Sequence, residues 1–549
     1  MDNINHLPPE ILERIFSSLN FTERKSAGGV CSYWRSVLHN VRFQRRCRIS
    51  LSDTFDQELS ELELRAVRSY HNIKLLHWAE WFDDDDYDDD YDYVEEEGDE
   101  PRKNEDIIHL KYLFEPSPEV NINKILLGHS ELKALSLCST IDCSREILEN
   151  LIPDMRNLRE LQLTFCQDSD SSPHESVWVI RNDKLETLKI NIMTDKPFEV
   201  QFPCLKKLEF LSNSYSFRMI DTYCWQLQCL RIHFQNPETM DDMMSLSFPK
   251  LTHLEVHMYD DKQVKVEYAR TRNVFVDKEK EENFVKSMPN LKSITFESNL
   301  MFYRIATALA EYSHQLEELT VSCLEIDAVQ LQSFRKLPKL KTIILKFTKI
   351  ISLTQALPKL DMPQLHNLSL LHKSSNVAFD SGLAGLKTLQ LTLSSKTSAK
   401  AVHKICCNLP NLERLELSCL GKLNHGAFRY LNKLKRLKVL LINDHNNNTY
   451  WTHCPVVPTL RRIIFDRCTG LTTKTLQPIA RLFPGLASIY LDYCIVTGNN
   501  EDDTAFSGGK LLYENSEEAK RKCNEQLKSM LPDCIVSLKN TTLQWRYCE

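Results

Sequence analysis

Residues 412–417 read Leu412-Glu413-Arg414-Leu415-Glu416-Leu417, and the same Leu-x-x-Leu-x-Leu frame opens again at Leu437, Leu460 and Leu486. Toward the N-terminus it opens at Leu386, Leu365, Leu340, Leu316 and Leu291, then at Leu251, Leu227, Leu205, Leu185, Leu158 and Leu132. Fifteen copies therefore fill the chain after residue 130, and all but one of their spacings lie between 20 and 27 residues. Tyr70-Ile73-Leu75 reads as a degenerate earlier copy. The Leu-x-Leu end of each copy alternates with period two, as a strand with one buried face does. The stretches between copies are amphipathic, and Ala399–Asn408 and Gly426–Lys435 predict helices most clearly. Proline then stands just before the next copy, as in Leu337-Pro338, Leu409-Pro410 and Phe483-Pro484, where it stops a helix.

One strand plus one short helix cannot cover its own apolar face, so neighbouring units must stack. Each buried leucine then contributes roughly 1.5–3 kcal/mol before chain entropy is subtracted. A coiled coil is excluded, because its heptads need a 3.5-residue period sustained without gaps. The pattern resembles the leucine-rich repeat, whose copies run 20–29 residues. The resemblance implies an α/β solenoid, curved, with a parallel sheet on the concave face and helices on the convex face. Cys166, Cys468 and Cys494 stand three residues after the last apolar position of their copies. In the family such a residue bonds the turn.

A different pattern occupies the N-terminus. The stretch LPPEILERIFSSL runs from Leu7 to Leu19, Val30-Cys31 ends a second short segment, and Trp34-Arg35 follow. Pro8 and Pro9 suit a first helical turn, where a missing N–H is no loss. Ile11, Ile15 and Leu19 recur at four-residue spacing beside Leu12 and Phe16, a broad apolar stripe. Three helices of about thirty residues cannot bury such a stripe alone, because so short a chain has too little volume for its surface. Part of it must dock elsewhere. This stretch resembles the F-box, the module that attaches substrate receptors to the Skp adaptor of cullin-type ubiquitin ligases. The resemblance carries adaptor binding onto Leu7, Pro8, Glu10, Ile15, Phe16, Leu19, Val30, Cys31, Trp34 and Arg35. Gly28 and Gly29 interrupt the second helix at about 1 kcal/mol each relative to alanine.

Bulk properties narrow the classes. At 549 residues the chain exceeds one ordinary core and is multi-domain or repetitive. The expected organisation is an F-box at 1–48, a linker with degenerate first repeats at 49–130, and the solenoid with a C-terminal cap at 131–549. The net charge is −7, yet 13 of the 18 residues from Asp83 to Glu100 are acidic, so the remainder carries about +6. Blocks of like charge stay extended, so 83–104 is expected to be a disordered insertion. A lure for a basic partner is the alternative. Eighteen cysteines contain no CxxC pair, which fits buried thiols in a reducing compartment better than zinc or a disulfide framework. No leader or membrane-length apolar run is seen, and the expected location is cytoplasm, nucleus or both. A short basic stretch, Arg42 to Arg48, lacks the interleaved aromatics of a nucleic-acid surface beyond Phe43. Neither GxGxxG nor GxxxxGK[ST] occurs, nor HExxH or GxSxG. The chain is expected to be a non-catalytic subunit without cofactor or metal. His233, His253 and His257 are expected to be surface residues near outward strand positions.

The residue between the last two apolar positions of each copy faces outward. In the first half these are Ser136, Gln162, Lys189, Glu209, Arg231 and Glu255. In the second half Ile344, Leu441, Ile464 and Tyr490 stand among Ser369, Gln390 and Glu416. Apolar side chains on an open face mark a partner site, which makes these four candidate substrate contacts. The alternative is that a loop or tail of the chain covers them. The forty-residue interval from Leu251 to Leu291 holds Val264-Lys265-Val266 and Val274-Phe275-Val276, an expected extra hairpin. Arg270 and Arg272 at its tip are further candidates for contact with an acidic partner. Thr497–Lys510 is a lid over the C-terminal face or a loop.

Together these readings imply the substrate-recognition subunit of a Skp–cullin–F-box ubiquitin ligase. Its partners would be the Skp adaptor, through it a cullin scaffold, and a protein substrate, with neither nucleic acid nor membrane. The alternative is a leucine-rich-repeat binding or inhibitor protein with a vestigial F-box, acting outside a ligase.

Overall fold

The computed structural model describes residues 7–16, 27, 30–38, 47–52, 72–76, 106–110, 132–140, 149, 152–166, 178–193, 198–212, 217–234, 242–258, 278–297, 299–351, 361–372, 381–394, 398–420, 426–444, 451, 453–472, 476–492, 494–498, 511–514, 525, 528–529, 532, 534–539 and 542–546. The chain divides into two compact units, Met1–Leu251 and Thr252–Glu549.

In the first unit, helices Pro9–Phe16 and Ser32–Leu38 form a small head. Eight parallel strands follow. Their spatial order is Asp106–Leu110, Cys47–Ser52, Asn72–Leu76, Ala134–Thr140, Glu160–Cys166, Thr187–Met193, Lys207–Ser212 and Cys229–Phe234. The degenerate copy at Ile73 is thus a true strand, paired with Leu135. Two strands lie outside the leucine frame, and one of them, Asp106–Leu110, takes the edge beyond Cys47–Ser52. Chain order and spatial order part company there. A flanking pair, Trp178–Arg181 with Phe198–Gln201, is also parallel.

In the second unit eleven parallel strands succeed one another from His253–Met258 to Ile535–Lys539. A smaller sheet joins Thr469–Thr472, Ile495–Gly498 and Thr542–Arg546 in parallel, with Leu511–Glu514 antiparallel at its end. Thr497 and Gly498, which the sequence assigned to an insertion, therefore close a strand. The rest of that segment, 499–510, lies outside the described residues, as do the hairpin at 264–276 and the acidic run.

The periodicity explains the core. Of the fifteen leucines that open the copies, fourteen, from Leu132 to Leu460, are at most 1% exposed; Leu486, the last, is half-buried. The two apolar residues of each strand follow them inward, for example Leu415 with Leu417 and Leu440 with Ile442. Helix Asn299–Tyr312 packs on strand Glu318–Asp327 and buries Ile305, Ala306, Leu309 and Ala310. Helix Ser398–Asn408 forms as predicted and ends before Leu409-Pro410. Gly426–Lys435 does not form an α-helix. Gly426 adopts φ 74°, which a helical start excludes. The chain covers the sheet with turns and one 3-10 turn, Leu431–Lys433, burying Ala427, Phe428, Leu431 and Leu434.

Among the described residues, side chains tie several repeats to the backbone of the one before. Buried Asn182 donates to the carbonyls of Ile152 (2.9 Å) and Met155 (3.1 Å), and Asn411 donates to Ala384 (2.8 Å). The Cys468 thiol donates to Ile442 O at 3.2 Å, and Cys494 to Phe465 O at 3.2 Å. These two cysteines therefore do bond the turn. Gly385 lies so near the Pro363 carbonyl that a β-carbon would collide with it.

Candidate functional site

Two surfaces are candidates, the head and the open face of the sheet. In the head, the main-chain N–H groups of Ile11 and Leu12 donate to Pro8 O (3.0 and 3.2 Å), which closes the first turn after the prolines. Leu12, Phe16, Ala27 and Val37 form the core, with Leu7, Tyr33 and Trp34 packed partly against it. Phe16 meets Trp34 edge-on at 5.2 Å. The Tyr33 hydroxyl donates to Leu7 O at 3.0 Å, and the main-chain N–H of Trp34 donates to the Cys31 sulfur at 3.4 Å.

This geometry sorts the expected adaptor residues. Pro8 is exposed and Cys31 half-buried; Ile15 is 40% and Val30 61% exposed. Phe16 is only 1% exposed, so its expected adaptor contact is corrected: it fills the inside of the head and presents no surface. Leu7 and Trp34 are split, half packed inward. Ile11 is 44% exposed and lies one turn before Ile15, on the same stripe. It extends the exposed apolar stripe of the head, although the family motif did not single it out. Glu10 and Arg35 lie in the two helices, and their side chains fall outside the described residues. So do Leu19, Gly28 and Gly29.

On the sheet, strand register turns the outward residues into continuous rows. In the first unit Ser136, Gln162, Lys189, Glu209 and Arg231 lie side by side. Lys189 Nζ stands 3.2 Å from Glu209, and Arg231 reaches the same carboxylate at 3.4 Å. In the second unit Glu416, Leu441, Ile464, Tyr490 and Ser537 are adjacent in register. Leu441, Ile464 and Tyr490 thus form one half-buried apolar row. Ile344 shares the register but stands between Thr320 and Ser369, four strands away from Leu441. The structure brings three of the four apolar candidates together and leaves the fourth apart. The Arg462 guanidinium lies 5.5 Å over the Tyr490 ring, and Arg414 pairs with Glu416. Arg270 and Arg272 are outside the described residues.

One site was not legible in the sequence. His257, expected at the surface, is half-enclosed between two carboxylates: Nδ1 donates to Glu297 at 2.6 Å and Nε2 to Glu255 at 2.7 Å. Burial alone would lower its pKa. The two carboxylate hydrogen bonds overcome that and raise it from 6.5 to about 9. Glu297 is held below its ordinary value, chiefly by the bond from His257. Forty residues separate His257 from Glu297, so no local pattern could have paired them. Burial pushes the Cys406 and Cys454 thiols up to about 12, which keeps both protonated and poorly nucleophilic. Among the described residues no group of three His, Cys, Asp or Glu side chains is arranged to hold a metal, and no helix is long and apolar enough to cross a membrane.

Comparison with known proteins bears on both surfaces. Residues 4–49 match the F-box-like family model. Among solved structures, the chain is similar to the TLR13–ssRNA13 complex, at 15% identity and TM-score 0.41 over 82% of this chain. It spans 65% of that protein's length, just under two thirds. An internalin of Listeria monocytogenes aligns at 11% identity and TM-score 0.32, over 66% of this chain and 86% of its own. A leucine-rich-repeat protein of Leptospira interrogans aligns at 14% identity and TM-score 0.32, over 75% and 91%. The chain thus carries an F-box-like segment at residues 4–49 and, later in the sequence, leucine-framed strands stacked in parallel.

Proposed function

We propose that this protein is the substrate-recognition subunit of a Skp–cullin–F-box ubiquitin ligase. The observation that carries the reading is the apolar face of the F-box-like head. Ile11, Ile15 and Val30 are exposed while Leu12, Phe16 and Val37 close the inside. A head that has already filled its core offers the remaining apolar stripe to a partner. The repeats then supply a second, independent surface for a protein substrate. No reacting group is assigned to this chain. Its contribution is proximity, since holding a target near a charged conjugating enzyme raises the effective concentration of its lysines. A stack of hydrogen-bonded repeats suits that task better than a flexible tether, which would spread the target over a larger volume.

The test is a titration of the purified full chain with a Skp-type adaptor, beside an Ile11→Asp, Ile15→Asp variant. Both residues are surface residues, so the head keeps its core. A Trp34→Ala change would not separate folding from docking, because Trp34 packs on Phe16. Each apolar anchor contributes roughly 1.5–3 kcal/mol, so the double variant should bind at least about a hundredfold more weakly. Absence of adaptor binding by the unmodified chain would overturn the reading in favour of a repeat protein acting outside a ligase.

A further inference from the structure

The N-terminal edge of the second unit's sheet carries a row of cations directly beside the apolar row. Backbone hydrogen bonds set the residues just before successive strands next to one another: Glu413 N to Lys387 O (2.7 Å), Lys438 N to Glu413 O (2.8 Å) and Arg461 N to Lys438 O (2.8 Å). Lys387, Arg436, Lys438, Arg461 and Arg462 are all exposed. Glu413 is the acid within this row, and Lys438 already holds it at 2.7 Å. The hydrogen bond from Lys438, with smaller charge contributions from Lys387 and Arg436, holds the Glu413 carboxyl below its ordinary pKa. The edge therefore carries an excess of positive charge.

Immediately past that edge the open face becomes apolar. Register puts Val439, Arg462, Ser488 and Ile535 in one row and Leu441, Ile464, Tyr490 and Ser537 in the next. Ile535 is 66% exposed. Four strands at about 4.8 Å spacing span about 14 Å, the length of roughly four extended residues. Asp466 and Asp492 lie on the same face but further along the strands, about 13 Å from the Arg462 position at 3.3 Å per residue.

We propose that this end of the open face docks an extended acidic–apolar segment of a partner protein, with a large aliphatic or aromatic side chain on Leu441, Ile464, Tyr490 and Ile535 and Asp or Glu side chains against the neighbouring cations. Charge complementarity selects the acid, and the apolar rows supply the anchor that an isolated basic edge would lack. A single-stranded nucleic acid fits less well, because such grooves stack bases on several aromatic rings and, among the described residues, these rows present Tyr490 alone. The inference rests on the reading that the repeats receive the substrate, and it names the substrate's chemistry.

The experiment uses the full chain and three fluorescent twelve-residue peptides: one of Asp, Glu, Leu and Phe, one with every acid replaced by Lys, and one with every acid replaced by Ser. Anisotropy should show the acidic peptide binding at least about tenfold tighter than the other two, with affinity falling as salt rises. Leu441→Asp with Ile464→Asp should remove binding of all three. Arg436→Glu with Arg462→Glu should reverse the preference toward the Lys peptide. Adaptor titration of the same samples reports folding and ligase membership separately, so loss of adaptor binding indicts the ligase reading and leaves the peptide result standing. Equal binding of the three peptides, or binding that survives both variants, would overturn the proposal. Tighter binding of an oligouridine competitor would overturn it in favour of nucleic acid. Peptide binding that appears only after deletion of residues 83–100 would make this chain's own acidic run the occupant and overturn the assignment to a partner.

Discussion

The open face of the first unit and that of the second unit's far end are built on the same strand geometry and carry opposite chemistry. In the first, Lys189, Glu209 and Arg231 answer one another across three strands. In the second, Leu441, Ile464 and Tyr490 occupy the equivalent positions. Inward positions must be apolar for neighbouring repeats to stack. Outward positions carry no such requirement, so their composition reports on use. Charges that pair laterally satisfy each other and ask nothing of a partner. Apolar side chains at these half-buried outward positions gain less from the fold than inward ones, and their contiguous row is what the proposed docking surface rests on.

The sharpest way to break this comparison is to change adjacent leucines on opposite faces of one strand. Leu440→Ala should cost about 2–5 kcal/mol, because Leu440 is fully buried and the deletion leaves a cavity. Leu441→Ala, one residue away, should stay within about 0.5 kcal/mol while weakening capture of an acidic–apolar peptide. Urea unfolding followed by circular dichroism decides, and equal losses from the two variants would refute the assignment of faces. Next in size, Gly385→Ala should destabilise by about 1–3 kcal/mol, since the added methyl must displace the Pro363 carbonyl. The same assay reads it, and a neutral result would mean that the two loops can separate without loss.

A pH titration probes the face near its other end. His257 has a folded pKa of about 9 against an ordinary 6.5. Its contribution to stability is fully present below pH 6.5 and is lost as pH rises through about 9. Glu297, held below 4.5, contributes above that value and loses its share as pH falls through its lower folded pKa. Thermal melts between pH 6 and 9.5 should show the unmodified chain losing ground to its own His257→Gln variant as pH rises; parallel curves would contradict the trio. The smallest effect belongs to the first unit's charge row. Glu209→Gln should cost less than about 1 kcal/mol, and less again in high salt. A larger loss would show that this row is more than a solvated surface.

Legibility differed by region for physical reasons. Strand positions and inward leucines were readable because period-two alternation is local to five residues. The turn-bonding roles of Cys468 and Cys494 were readable through the resemblance to leucine-rich repeats, which gives that role to a residue three places after the frame. Gly426–Lys435 misled, because an amphipathic spacing there is met equally by consecutive turns once glycine starts with positive φ. Strands Cys47–Ser52 and Asp106–Leu110 escaped notice because they lack the leading leucine. In the head, the stripe was plain, but helix spacing alone did not say that Phe16 turns inward while Ile11 stays out. That depends on where Trp34 lies.

The amino-acid order by itself determined which residues leave water, since burial follows a repeat written in the chain every 20 to 27 residues. Only the tertiary structure decided which outward residues become neighbours. That choice is made by backbone hydrogen bonds between strands separated by variable connections. Those bonds set His257 beside Glu297, line up Lys387, Lys438 and Arg461, and set three scattered apolar residues into one row.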